Sequence, residues 1–409
     1  MHYFTHTFPN GLRLIHLPSD SPVSYCGYAV HAGTRDEEAH EHGLAHFVEH
    51  LLFKGTARRK ARHILNRMEN AGGELNAYTT KEDTFVYSIF LEEHFGRASE
   101  LLTDIVFHSC FPPREVVKEA DVILDEINTY KDSPSELIFD DFEDLLFSGH
   151  PLGHNILGDA SSLAGFTSEA GLSFARRFYT PAKAVFFSMG STKPERILRL
   201  AGKHLGEEVL ASTPPPLRTP PPLLSPQHKR IRRDTHQAHV ITGGRAYGMY
   251  ENAQKRMALF LVNNLLGGPG MNSRLNLSLR EQHGLVYNVE SNLTTYTDSG
   301  LASIYFGTDP RHTDRALRLV LMELKQVCNT RLSDARLTAL KKQTSGQLGI
   351  LGDNKENTFL TLGKQFLHRG SYEGLAEVFK KIDAVTSGEM LEVANEVFAP
   401  ATLSSLIYT

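Results

Sequence analysis

A proline-rich stretch between Leu205 and Arg233 limits the fold of this chain more than any other feature. It contains the run STPPPLRTPPPLLSP. Clustered prolines fix φ and remove backbone donors, so neither a helix nor a central strand can continue through them. The stretch predicts a linker at 206–233 between an N-terminal domain, 1–205, and a C-terminal domain, 234–409. Two domains also suit the length, because one domain usually contains about 100 to 200 residues.

The two predicted domains repeat one order of elements. The first contains TTKEDTFVYSIFLEEHFGRASELLTDIVF and the second contains TTYTDSGLASIYFGTDPRHTDRALRLVLMELKQV. In each, a run of alternating hydrophobicity, at 84–91 and 300–306, precedes a pattern of helical period, at 95–107 and 314–327. The repetition predicts an internal duplication. The predicted fold class is α+β, with two similar domains that each consist of a mainly antiparallel sheet packed with helices.

Composition and charge exclude several classes of partner. Hydrophobic residues make up 41% of the chain and charged residues 22%, as in ordinary globular proteins. The formal net charge of -4 provides no general positive field for a phosphate backbone or an anionic lipid surface. The basic run KRIRR at 229–233 is only local. We therefore expect neither a nucleic acid nor a membrane as a partner.

Cysteine usage and the N-terminal sequence predict a location. The three cysteines are an odd number and form no CxxC pair, which argues against a disulfide framework and against a thiolate metal site. The stretch MHYFTHTFPNGLRLIHLP has no basic leader followed by an apolar run, and no stretch approaches the ~18 apolar residues that span a bilayer. These features predict a cytoplasmic protein.

The segment HGLAHFVEHLLFKGT, at 42–56, contains the pattern His46-x-x-Glu49-His50. Apolar residues at helical spacing and the absence of proline predict a helix over 41–54. Residues four apart on a helix project from one face, so both imidazoles can reach one ion, with Glu49 to its side. A catalytic zinc takes three protein ligands and a water, so a third ligand must come from elsewhere.

Glu126 is the candidate third ligand. It lies in REVVKEADVILDEINTY, whose apolar positions recur with helical period and define a buried face. Glu119 precedes it by seven residues, so two helical turns place both carboxylates on one face. Glu126 could bind a metal ion while Glu119 orients a ligand histidine.

These residues by themselves leave two interpretations open. A histidine pair four residues apart is more often a surface or core accident than a metal site, and His40 and His42 make the segment rich in histidine. His42 and His46 form a second pair with the same spacing. The full pattern His-x-x-Glu-His is more demanding, and it is typical of the inverzincins. A zinc site and a histidine-rich helix surface both remain open.

The flanking residues carry a resemblance to a known family. HGLAHFVEHLLFKGT, NAGGELNAYTTKEDTFVY and EADVILDEI occur in that order, with Glu126 seventy-six positions after His50. In order and spacing they resemble the pitrilysin/insulysin family of zinc metallopeptidases, in particular its small two-domain branch, which is related to mitochondrial processing peptidase. HPLGHNILGDASSL, FYTPAKAVFFSMGS and LLGGPGMNSRLNLSLREQHGLVYNVES extend the resemblance over most of the chain.

The resemblance implies that the first domain is catalytic and that the chain with its two domains forms one half of a metallopeptidase clamshell. It implies one zinc ion per chain, bound by His46, His50 and Glu126, with Glu49 as the general base and Glu119 in support of the site. A carboxylate beside a metal-activated water can take the proton of that water and later give it to the leaving amine.

Two further pairs have roles that the resemblance implies. Arg280 and Tyr287 would steady the substrate carbonyl as it becomes an oxyanion. Without the family context, an exposed arginine at a helix end and a core tyrosine would be the more ordinary interpretation. Asn76 and Ala77 would lie in an edge strand that pairs with an extended substrate, although the residue types alone indicate a plain strand after a turn.

The resemblance thus implies a zinc-dependent endopeptidase that cleaves peptides or extended polypeptide segments. In longer relatives four domains enclose a chamber, so a chain with two domains requires a second subunit. Because this chain has both the zinc motif and the arginine-tyrosine pair, we expect a homodimer with sites completed in trans. The alternatives are a non-catalytic structural or assembly subunit of the same fold and a zinc hydrolase with other substrates.

Overall fold

The computed structural model describes residues 2–206, 217–233 and 235–409. The chain forms two compact units, and neither is continuous in sequence. The first unit consists of the ranges 1–128, 154–218 and 352–373, and the second consists of the ranges 129–153, 219–351 and 374–409. The predicted domains, in contrast, are continuous. Part of the predicted linker, 207–216, lies outside the described residues.

The first unit contains a six-stranded sheet. Its strands are β1 (Phe4–Thr7), β2 (Arg13–Pro18), β3 (Val23–Val30), β4 (Glu74–Thr79), β5 (Thr84–Leu91) and β6 (Ala184–Gly190). Their order across the sheet is β1-β2-β6-β3-β5-β4. β2 and β6 run parallel, and the other neighbours run antiparallel. β4 therefore lies at one edge.

The second unit contains a five-stranded sheet. Its strands are β7 (His228–Ile231), β8 (Ala238–Ala246), β9 (Val286–Thr295), β10 (Gly300–Thr308) and β11 (Ser404–Tyr408). Their order is β7-β11-β8-β10-β9, with β7 and β11 parallel and the other neighbours antiparallel. This order repeats β2-β6-β3-β5-β4, as an internal duplication would produce. The predicted α+β fold with two mainly antiparallel sheets is confirmed.

Helices pack on both sheets. In the described ranges they are α1 (Leu44–Leu52), α2 (Ala61–Glu69), α3 (Phe95–Phe107), α4 (Pro113–Lys131), α5 (Pro134–Leu146), α6 (Ala160–Leu163), α7 (Ser168–Phe178), α8 (Pro194–Ala201), α9 (Ala253–Gly267), α10 (Thr313–Asn329), α11 (Asp334–Leu351), α12 (Lys355–Arg369), α13 (Leu375–Ala384) and α14 (Ser387–Phe398). None of these helices combines the length and the apolar character that crossing a membrane requires. The cytoplasmic location stays a prediction.

The first sheet is covered on both faces. α1 and α3 contribute to a buried apolar cluster on one face. On the other face α12, which is distant in sequence, packs on the sheet. The ring of Phe359 stacks on Phe187 with 4.3 Å between the ring centroids. A Cβ at Gly363 would lie 2.7 Å from the ring of Phe187, so only glycine permits this close approach. Burial on both faces explains why AVFFSMG in β6 is apolar nearly throughout.

In the second unit, α5 packs on β8 and β11 in a corresponding way. Ile138 and Phe142 of α5 are buried in one cluster with Ile241 and Tyr408 of these strands. Each unit thus takes a helix from the half of the sequence that forms most of the other unit.

Candidate metal centre

α1 positions the two motif histidines. Its residues Leu44, Phe47, Val48 and Leu51 are buried in the core of the first unit, which fixes the rotation of the helix. His46 and His50 project together, one turn apart, with 4.7 Å between their ring centroids. The predicted helix over 41–54 is longer than the helix that forms, which begins at residue 44 and ends at residue 52.

The start of α1 is held by a carboxylate from outside the helix. The N-cap residue Gly43 has a left-handed φ of 93° and no side chain that could cap. Glu37 takes over this task, because its side chain accepts the N–H groups of Gly43 at 3.0 Å and Ala45 at 2.7 Å. The Nε2 of His154 lies 3.0 Å from the same carboxylate. Burial raises the pKa of Glu37, and the two backbone donors oppose that shift.

Sequence reasoning missed Glu37. A glycine at the start of a helix has no side chain that could accept the first N–H groups. An acidic residue a few positions earlier could therefore have indicated the cap. The sequence could not show that the loop folds back far enough for this carboxylate to reach two backbone donors.

We expect Glu37→Ala to lower the free energy of unfolding by about 2–4 kcal/mol, because the N–H groups of Gly43 and Ala45 would stay buried without an acceptor. Urea unfolding of the metal-free protein measures this loss. Glu38→Ala, at an exposed neighbour, is the matched control. Equal stability of the two variants would contradict the capping role of Glu37.

α4 brings two carboxylates to the histidines. The Nε2 of His46 lies 3.8 Å from Oε1 of Glu126, and the Nε2 of His50 lies 3.7 Å from Oε2 of Glu126. Glu119, two turns earlier on α4, has its Oε2 atom 3.1 Å from the Nδ1 of His50. The spacing of seven residues thus places both glutamates on the side of α4 that faces α1.

The His46, His50 and Glu126 group fits a zinc ion. One ligand atom from each residue lies within 4.8 Å of the others, and no second such group occurs among the described residues. Tetrahedral ligands at zinc bond lengths are about 3.3 Å apart, close to the separations from Glu126. The Glu126 side chain is 43% exposed, so the group is open to solvent on one side.

The two histidines have different surroundings. His46 is buried, and burial followed by the charge of His50 lowers its pKa to about 3. His46 is therefore neutral at pH 7 and keeps a lone pair for a metal ion. Its Nδ1 atom is buried without a hydrogen-bond partner in the part of the chain that the structure describes, whereas the Nδ1 of His50 faces Glu119.

Glu49 lies beside this group. Burial raises the pKa of its carboxyl group, the charge of Glu126 adds to the shift, and hydrogen bonding with Thr79 opposes it. Its Oε2 atom is buried and has no hydrogen-bond partner in the described ranges of the chain. A buried acceptor without a donor suits a site that takes up a water or a substrate.

The edge strand β4 runs beside α1. Asn76 pairs with Tyr87 and Ala77 pairs with Val86, both across the ladder to β5. On its other side β4 has no partner strand among the described residues. Its backbone groups on that side can therefore pair with another extended chain.

Arg280 and Tyr287 lie in the second unit. The guanidinium carbon of Arg280 is 5.5 Å from the centroid of the Tyr287 ring. Tyr287 is 83% exposed, so the alternative interpretation as a core tyrosine is wrong. The structure thus brings these two residues together and places them in a different unit from the histidines and glutamates.

The fold and this site define a class of two-unit α+β proteins that have an inverted His-x-x-Glu-His motif on a helix. The model described as Insulinase (Peptidase family M16) matches residues 14–160, and the model described as Peptidase M16 inactive domain matches residues 165–344. A protein of Mycobacterium leprae that is named an uncharacterized zinc protease is 34% identical over 397 residues, which cover 96% of this chain and 88% of the relative. This chain belongs to peptidase family M16, as its resemblance to the pitrilysin/insulysin family predicted.

Another relative and two solved structures are also similar to this chain. A protein of Bacillus subtilis that is also named an uncharacterized zinc protease is 29% identical over 404 residues, which cover 98% of this chain and 97% of the relative. The fold matches the crystal structure of a protease from Helicobacter pylori with a TM-score of 0.90 at 19% identity, over 100% of this chain and 99% of that chain. A peptidase M16 inactive domain from Pseudomonas fluorescens matches with the same TM-score at 18% identity, over 100% and 98%.

Proposed function

We propose that this chain is a zinc-dependent endopeptidase that cleaves peptides or extended polypeptide segments. The observation that carries the proposal is the convergence of His46, His50 and Glu126 within 4.8 Å, beside the buried carboxyl group of Glu49. Two relatives are named uncharacterized zinc proteases, and these names support zinc as the metal.

The first unit supplies most of the proposed chemistry. His46, His50 and Glu126 would hold the zinc ion, which when bound acidifies a water and polarises the scissile carbonyl. Glu49 takes a proton from the attacking water as the oxygen bonds to the carbonyl carbon. It then gives that proton to the amine nitrogen as the carbon–nitrogen bond breaks. The raised pKa of Glu49 suits the first transfer, because a carboxyl group of ordinary pKa is a weaker base.

Substrate binding is proposed for the free edge of β4. An extended peptide can add to this edge as a further strand, with main-chain hydrogen bonds near Asn76 and Ala77. Such pairing holds the peptide backbone extended and does not depend on the side chains of the peptide. Because it uses main-chain hydrogen bonds, it favours peptides over other hydrolysable substrates.

A mixed peptide library tests the proposed function. The zinc-loaded protein is incubated with the library, with and without a chelator, and products are identified by mass spectrometry. We expect internal cleavages that the chelator abolishes. If no peptide is cut, the competing function as a non-catalytic assembly subunit gains support.

The proposed active site is shared between two subunits. Arg280 and Tyr287 lie in a different unit from the zinc ligands, and the chain contains two units. In a symmetric homodimer, the second unit of one chain would complete the site of its partner, which gives two equivalent sites. The cation and the hydroxyl would then stabilise the oxyanion.

A mixing experiment checks this sharing. Chains with Glu49→Gln and chains with Tyr287→Phe are each expected to be weak, but co-assembled dimers should regain activity. One of the two sites in a mixed dimer would hold an intact Glu49 and an intact Tyr287. If each site were formed within one chain, every site would contain a lesion. Verified mixed dimers without recovered activity would contradict the shared site.

A further inference from the structure

Lys54 is linked to the candidate metal centre through Glu119. It lies two residues after the end of α1, and its backbone N–H donates to the carbonyl of Leu51 at 3.0 Å. Its Nζ atom is 2.5 Å from Oε1 of Glu119. The other oxygen of this carboxylate, Oε2, is 3.1 Å from the Nδ1 of His50. Glu119 therefore bridges an ammonium group and a proposed zinc ligand.

This bridge of Lys54, Glu119 and His50 is partly shielded from solvent. The Glu119 side chain is only 6% exposed, and the Lys54 side chain is 27% exposed. A buried carboxylate is costly unless a nearby cation and hydrogen bonds compensate for its lost hydration. Lys54 provides the opposite charge at one oxygen, so the other oxygen stays oriented towards His50.

The bridge also fixes the tautomer of His50. A carboxylate only accepts hydrogen bonds, so the Nδ1 of His50 must carry the proton that it shares with Glu119. The lone pair then lies on Nε2, which is the atom that faces Glu126 at 3.7 Å. A ligand histidine needs this arrangement, because the metal ion takes the lone pair of the nitrogen that has no proton.

The bridge joins the two helices that supply the ligands. α1 carries His46 and His50, and α4 carries Glu119 and Glu126. Glu119 and Glu126, which are two turns apart on α4, both face the histidines of α1. The contact between Lys54 and Glu119 adds a link between the end of α1 and α4.

We propose that Lys54 is a positioning residue of the zinc centre, which acts through Glu119 to hold the imidazole of His50 in the orientation that binds the metal ion. This inference rests on the proposed function, because it takes His50 as a zinc ligand.

Zinc affinity tests the role of Lys54 without reference to peptidase activity. The dissociation constant is measured by competition with a chromophoric chelator. We expect Lys54→Met to weaken zinc binding by about 10- to 100-fold, the usual effect of losing a residue that orients a metal ligand. Lys118→Met is the matched control, because Lys118 pairs with Glu115 on the exposed face of α4. It should bind zinc like the wild type.

Two more variants separate positioning from general stability. Lys54→Arg restores a cation beside Glu119 and should recover most of the affinity. In the Lys54→Met and Glu119→Gln double variant, zinc binding should be hardly weaker than in Glu119→Gln alone, because Lys54 acts through Glu119. Fully additive losses, or no recovery in Lys54→Arg, would overturn the inference.

The remaining outcomes are also decisive. Urea unfolding of each metal-free variant shows whether it is folded. If Lys54→Met is not folded, Lys54→Gln, whose amide can still donate to Glu119, takes its place and should show a smaller loss of affinity. A folded variant of either kind with wild-type zinc affinity would overturn the role of Lys54. A wild-type chain that binds no zinc would overturn the proposed function and this inference with it.

Discussion

Glu49→Gln should keep the bound zinc and reduce peptide hydrolysis by about 10²- to 10⁴-fold, the usual contribution of a general base. The amide has almost the shape of the carboxyl group but cannot accept the proton of the attacking water. Glu49 is not one of the three residues whose ligand atoms lie close enough to hold a metal ion, so the metal content should not change. Initial rates on one cleaved peptide, together with elemental analysis, measure both quantities.

Glu69→Gln is the matched control for Glu49→Gln. Glu69 is exposed at the end of α2. Its substitution by glutamine removes the same charge as Glu49→Gln but outside the site. Its hydrolysis rate should equal that of the wild type. If Glu49→Gln stays within a few-fold of the wild type, Glu49 is not the base.

The second large effect concerns the metal. His50→Ala should remove nearly all zinc from the protein and nearly all peptidase activity. It takes away one of the three proposed ligands and also leaves Glu119 without its partner in the site. Elemental analysis after dialysis against a zinc buffer measures the loss.

His42→Ala is the control that separates a zinc site from a histidine-rich surface. His42 has the same spacing from His46 as His50 does, but its ring stacks on His154 at 4.1 Å and it is not part of the metal group. His42→Ala should keep one zinc per chain. Equal zinc contents in the two variants would contradict the assignment of His50.

Local features of the candidate site could be read from the sequence. The spacing of His46 and His50 and the spacing of Glu119 and Glu126 follow from helical geometry, so each pair could be placed on one helix face. The edge position of β4 was expected only from the family resemblance. What joins the two helices depends on tertiary packing, and the sequence could not show that Lys54 meets Glu119, sixty-five positions later.

The division into units shows the same limit. The apolar pattern of AVFFSMG indicates a strand that is buried on both faces, but it does not identify the covering helix. α12 covers the first sheet, although the segments before and after it, 219–351 and 374–409, belong to the second unit. Nothing local distinguishes it from a helix of the second unit, because its apolar face would suit either core. The start of α1 at residue 44 likewise depends on a loop that folds back until Glu37 reaches two backbone N–H groups.

If His46, His50 and Glu126 bind one catalytic zinc ion, peptidase activity must follow zinc binding. This dependence can be measured by titrating zinc into metal-free protein and recording peptide cleavage at each addition. We expect no cleavage without metal and a linear rise that ends at one zinc ion per chain. Cleavage by the metal-free protein at the final rate, or full zinc binding without any cleavage of peptides, would contradict this expectation.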